Sequence, residues 1–191
     1  LTFVMFTVWG FVRSFMNRPP GDYETEVCDI RLKDKKYDEA LRAANIALEK
    51  TPNHRGAVMC KALVFISQKK YLEANEELTN LINFLEKNVK DDDKTGIGTL
   101  AAAYANRGII KDRNKDYEGA FQDYVKALGI DHVAVAGPGL GTIILNYKFK
   151  SSSVKERALY LNEQLQLPES ERVLRIKELD EGQVMHKPGK L

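Results

Sequence analysis

The chain has little of what metal proteins and most enzymes display. It has three histidines, His54, His132 and His186, spread over 191 residues. A zinc site needs ligands in short pairs, and these match no such spacing. No Gly-x-Ser-x-Gly elbow and no His-Glu-x-x-His occurs, so the commonest local signatures of acyl transfer and zinc hydrolysis are missing. The two cysteines, Cys28 and Cys60, are too few for a disulfide framework. Both fall on predicted helices at core or near-core positions and read as reduced, buried thiols; spacing alone establishes no disulfide. Charge of one sign is lacking too: 29 Lys and Arg stand against 27 Asp and Glu, a net +2. The basic residues are interspersed with acids rather than striped, so nucleic acid is not an expected partner. No catalytic constellation appears, and we expect neither an enzyme nor a cofactor nor a metal.

Present instead is helical periodicity that repeats. From Tyr117 the residues Ala120, Phe121, Tyr124, Ala127 and Leu128 recur at the spacing of one helix face. Before them lies a second helical pattern, rich in small residues around Tyr104 and Gly108, that lets two helix axes approach closely. Together they predict an antiparallel hairpin. The sequence KDYEGAF at 115–121 has counterparts in KKYDEAL at 35–41 and KKYLEAN at 69–75. The tyrosines are spaced 71 − 37 = 34 and 117 − 71 = 46, which is 34 plus an insertion of 12.

A period of 34 with a two-helix unit resembles the tetratricopeptide repeat. Tyr-x-x-Ala occurs as Tyr37/Ala40, Tyr71/Ala74 and Tyr117/Ala120, and the small eighth position of the first helix is Cys28, Ala62 and Gly108. Repeats are expected at 21–54, 55–88 and 101–133, with the insertion near 87–98. The resemblance implies an all-α fold, an α-α superhelix of three such hairpins. A C-terminal capping region and an N-terminal hydrophobic helix complete the expectation. One departure concerns the turn inside each hairpin. The family places glycine two residues before the tyrosine, whereas this sequence has Lys35, Lys69 and Lys115. Either a lysine adopts the left-handed conformation, at about 1 kcal/mol, or the turn differs.

Two local motifs invite chemistry and fail. Three aspartates at 91–93 suggest calcium, but an EF-hand loop counted from Asp91 has Ala102 at its twelfth place, where glutamate is needed. A solvated loop fits better, with Thr99 as N-cap of the third repeat. The run Gly137, Pro138, Gly139, Leu140, Gly141, Thr142 lacks the Lys-Ser/Thr ending of a phosphate loop and reads as a hinge. Beyond it come a short apolar helix at 142–149 and a capping box from Ser153 to Glu156. The latter opens a helix with the face Val154, Ala158, Leu161 and Leu165, stopped by Pro168. Residues 134–191 are thus expected to cap the last repeat and to end in a mobile polar tail.

The opening 12 residues carry no charge. The run is shorter than the roughly 20 residues of a spanning helix, and it starts at Leu1 rather than Met. Residues 1–18 are read as a truncated membrane anchor, with a signal peptide and a buried or interfacial helix as alternatives. Arg13 and Arg18 on its C-terminal side put the repeats in the cytoplasm by the positive-inside tendency, the expected setting being a bacterial inner membrane with residues 1–16 in the lipid.

The functional expectation is a tethered protein–protein interaction scaffold. Its partner is another protein, a peptide or helix segment held in the groove lined by the first helices. The alternatives are a soluble RNA-binding helical-repeat module and a self-associating assembly subunit. The resemblance assigns to the groove Asp29 and Lys33, then Met59, Leu63 and Ile66, then Ala102, Ala105, Ile109, Asp112 and Arg113. A grip on acidic chaperone tails is not expected, because its lysine, asparagine and basic places hold Thr25, Asp29, Cys60, Ala102 and Asn106. On this register Leu63→Glu is expected to spare the fold.

Overall fold

The computed structural model describes residues 4, 5, 9, 18–131, 154–176, 183, 185 and 186. Among these it is all-helical. We label the helices α1 (Asp22–Lys33), α2 (Tyr37–Lys50), α3 (Arg55–Ser67), α4 (Tyr71–Asn88), α5 (Lys94–Arg113), α6 (Tyr117–Asp131) and α7 (Val154–Leu165), followed by a 3-10 turn at Glu169–Glu171. The hinge at 137–142, the helix expected at 142–149 and the first residue of the capping box lie outside the described residues.

The helices pair in sequence order, α1 with α2, α3 with α4 and α5 with α6. Each pair turns at a lysine in the left-handed region: Lys35 at φ 59°, Lys69 at φ 60° and Lys115 at φ 67°. In the first turn the Lys35 N–H donates to the Leu32 carbonyl at 3.0 Å and the Lys36 N–H to the Arg31 carbonyl at 2.8 Å. The other two turns repeat both bonds. Residues five apart and three apart are thus linked around one left-handed residue, which satisfies helix-end carbonyls that would otherwise have no partner. Of the two expectations for the turn, the left-handed lysine is the one realised.

Neighbouring hairpins meet through their first helices, α1 on α3 and α3 on α5, while α2 packs on α3 and α4 on α5. The main core lies between α3 and α7, with Leu78, Leu81, Ile82 and Leu85 of α4 facing Leu100 to Ala105 of α5. Gly108 lets α6 pack closely on α5: a Cβ there would lie 2.6 Å from the Tyr124 ring. A second, smaller core holds Cys28, Ala40, Ala43, Ala44, Cys60 and Val64 between α1, α2 and α3. Alanine buries little area, and a covalent bond supplements it. Cys28 and Cys60 form a disulfide, their Cα atoms 6.4 Å apart, which corrects the expectation of two reduced thiols.

Three further expectations need correction. Helix α5 begins within the supposed insertion, because the Asp93 carboxylate accepts the Gly96 N–H at 2.8 Å and caps it there. Thr99 is not the cap; it is buried inside the helix, its hydroxyl donating to the Thr95 carbonyl at 2.7 Å. The supposedly mobile tail is held at Gln183, Met185 and His186. The placement at a bacterial inner membrane with cytoplasmic repeats is overturned. Among the described residues no helix is long and apolar enough to cross a membrane. Even the 20-residue α5 carries Lys94, Arg107, Lys111, Asp112 and Arg113, and a charge at the centre of a bilayer costs several kcal/mol. Of the expected anchor, only Val4, Met5, Trp9 and Arg18 are described.

Candidate functional site

The first helices α1, α3 and α5 form one face, and its two ends differ. At the α1 end is an open cavity of about 700 Å³. Asp22, Thr25, Glu26 and Asp29 of α1 line it, with His54, Arg55 and Gly56 at the start of α3 and Thr95 and Thr99 of α5. Much of its wall is built by helix starts. The His54 ring caps α3, its Nδ1 accepting the Ala57 N–H at 3.2 Å, and its Nε2–H donates to Asp22 at 2.9 Å. Arg55 pairs with Asp93, whose carboxyl is held below the usual range first by that guanidinium and then by the Gly96 N–H.

A carboxylate, a histidine and a hydroxyl in sequence suggest nucleophilic catalysis, but the protons here are arranged otherwise. The Thr25 hydroxyl donates to the Gly21 carbonyl at 2.8 Å. The His54 Nδ1 that would have to take its proton lies 3.4 Å away and already accepts the Ala57 N–H. The set ties α1 to the start of α3 and leaves a polar rim.

At the other end the face is covered. Met59, Leu63, Ile66, Ala102, Ala105 and Ile109 are buried in the main core, Leu63 at 4% exposure. They do not line an open groove, because all six are packed inside the main core. Asp112, expected at a charged rim, is buried at the centre of a network. Arg157 of α7 donates two bonds of 2.7 Å to its carboxylate, the Tyr124 hydroxyl donates at 3.2 Å, and the Gln183 amide donates at 2.9 Å. Burial, with the Asp112 charge beside it, pushes the Tyr124 hydroxyl well above its usual pKa. Of the other expected residues, Asp29 lines the open cavity, Lys33 is exposed, and Arg113 is half-buried with its guanidinium 5.8 Å above the Tyr71 ring.

Between the two ends sits Asn106, fully buried on the apolar face of α5. Its side-chain amide donates to the His186 carbonyl at 2.6 Å, and its carbonyl oxygen accepts the His186 N–H at 2.8 Å. One amide thus satisfies both backbone groups of one residue. Met185 packs against the main core beside it. No protein-family model matches the sequence, and no curated protein does. The site therefore rests on its own geometry.

Sequence reasoning missed Arg157, Gln183 and His186 and assigned Asn106 only to a clamp that fails. A signal existed for two of the partners. Arg157 falls among Val154, Ala158 and Leu161 on the apolar face of its helix, as Asp112 falls after Ala105 and Ile109. Opposite charges on two apolar stripes predict a buried pair. For the contacts of Gln183, Met185 and His186 the sequence holds no such signal, because these residues belong to no helix and so share no helical period.

Proposed function

We propose that the protein is a non-enzymatic protein–protein interaction scaffold, its three hairpins stacked as a tetratricopeptide-like superhelix, with a segment of another polypeptide bound on the face of the first helices. The observation that carries this reading is the open 700 Å³ cavity between α1, α3 and α5. Its polar rim and the small Gly56 in its lining suit a side chain from a partner, contacted by polar groups around the edge. The repeated lysine turn and the contact between successive first helices support the superhelix. They bring one helix of every hairpin to a common face, which is how a repeat array presents an extended surface.

The test uses Glu26→Lys with Asp29→Lys, two half-buried residues of the cavity wall that belong to neither core. The wild type and the variant are compared by affinity co-purification, with circular dichroism as a control on folding. Partners retained by the wild type and lost from an equally helical variant are expected. If both proteins retain the same partners, binding lies elsewhere on the molecule and the cavity reading falls.

A further inference from the structure

The strongest remaining feature is the edge of the molecule that carries the three hairpin turns. His54 reaches Asp22, and Arg55 reaches Asp93, so the starts of α1, α3 and α5 lie side by side. The turns that follow these helices therefore lie together at the opposite edge. Two contacts join them. A cavity of about 360 Å³ is lined by Lys35, Lys36 and Arg42 of the first hairpin and by Gln68 of the second. Arg113, before the third turn, lies 5.8 Å from the Tyr71 ring, just after the middle one.

Each turn holds its lysine at positive φ, and among the described residues no other non-glycine residue does so. Glycine can make the same two turn hydrogen bonds without a Cβ to crowd the chain. The backbone thus gains nothing from lysine, and what lysine adds is an exposed ammonium. A disfavoured conformation that recurs in every turn points to use of the side chain. Lys35, Lys36, Lys69, Lys70 and Lys115 are all exposed. Among the described residues none of the five has an ion-pair partner. Several acids of this edge are engaged elsewhere. Glu39 pairs with Arg31 at 3.0 Å, Asp116 accepts the Gly119 N–H at 3.0 Å, and Asp112 is buried against Arg157. Asp34 and Asp38 stand exposed at the first turn.

We propose that the turn edge is a docking surface for an acidic segment of another protein, its carboxylates spaced to meet successive lysine turns. Packed helices lie about 8–10 Å apart, so the turns repeat at roughly that distance. A polyproline II segment matches it: three residues per turn, at about 3.1 Å each, set every third side chain on one face. Three observations favour a polypeptide over nucleic acid. Asp34 and Asp38 interrupt the positive row, where a strand of closely spaced phosphates would meet them. Leu72, at 83% exposure beside the middle turn, offers an apolar contact that a phosphate chain does not use. Tyr37, Tyr71 and Tyr117 pack against the two cores and do not stand free to stack on bases. Exposed ion pairs are individually weak, so binding needs several turns at once and falls as salt rises. This surface lies across the molecule from the open cavity and does not depend on it.

The experiment uses the full chain and a fluorescent peptide of repeated Glu-Pro-Pro, read by fluorescence anisotropy at low salt. One variant carries Lys35→Gly, Lys69→Gly and Lys115→Gly, which removes three charges and relieves the backbone. A second carries Lys35→Arg, Lys69→Arg and Lys115→Arg. A third carries Lys87→Ser, Lys90→Ser and Lys94→Ser, the same loss of charge at the opposite edge, where α4 ends and α5 begins. The glycine variant is expected to bind the peptide about tenfold more weakly than the wild type, and the other two to bind within about twofold of it. Circular dichroism accompanies each measurement. Undiminished binding by the glycine variant overturns the proposal, and so does a wild type that ignores the peptide. An equal loss in the serine variant also overturns it, because net charge alone would then drive the contact. Tighter binding of oligouridylate than of the peptide gives the edge to single-stranded nucleic acid instead. The cavity variant, Glu26→Lys with Asp29→Lys, leaves the turn edge intact, so the two readings fail separately.

Discussion

At Lys35, Lys69 and Lys115 an L-residue holds a backbone conformation that its Cβ disfavours, at φ between 59° and 67°. The two turn hydrogen bonds at each place offset that cost without removing it. Lys69→Gly is expected to raise stability to chemical denaturation by about 1 kcal/mol, because glycine has no Cβ to crowd the following carbonyl. A loss of stability would mean that the lysine side chain makes a contact worth more than the strain. A second residue-scale prediction concerns His186. Burial lowers its pKa from 6.5 to about 4, so the docked segment favours the neutral ring and a released segment takes up the proton first. Docking is expected to be full above about pH 6.5 and to be lost progressively as the pH falls toward 4. Amide exchange at His186 across that range reads it directly. A flat profile, or an unchanged slope in His186→Gln, would sink the assignment.

At the scale of the element, periodicity located the helices well. The second helices open at Tyr37, Tyr71 and Tyr117, where the repeated Tyr-x-x-Ala motif stands, because tyrosine opens each second helix just after a turn and the apolar positions then recur on one face. The start of α5 was not legible, since an aspartate cap at Asp93 competed with a threonine cap at Thr99 and only the packing of Gly96 to Leu100 decides between them. Register alone also could not say whether the first-helix face is open or covered, because a buried stripe and a groove lined with apolar residues have the same pattern. Leu63 carries the practical difference between the two. At 4% exposure in the main core, Leu63→Glu is expected to cost about 3 kcal/mol or more, from lost apolar contacts and a carboxylate in apolar surroundings. Thermal melting checks it, and an unchanged midpoint would return Leu63 to a groove.

At the scale of the whole molecule, the two cores are unequal, and the disulfide lies in the weaker one. Six small or medium side chains make up that core, where the main core holds leucine, isoleucine and tyrosine side chains from five helices. The loop the bond closes, with a sequence separation of 32, is long enough for it to contribute about 2–4 kcal/mol by restricting the unfolded state. Disulfides persist where the surroundings are oxidising, so the bond lends no support to the cytoplasmic setting that Arg13 and Arg18 suggested.

The same bond sets the route by which tension crosses the molecule. Pulled from its two ends, the covalent path steps from Cys28 directly to Cys60, and residues 29–59, with all of α2 and parts of α1 and α3, hang from that path as a closed ring that bears no force. About 110 Å of contour, the 32 bypassed steps at roughly 3.5 Å each, stays hidden while the disulfide is intact. In an optical trap the oxidised protein is expected to unfold to a length shorter by that amount than the protein in reductant. Equal lengths in the two conditions would mean that no such ring exists. Residues 29–59 are thus shielded: a pull that melts the helices outside the ring leaves α2 under no load.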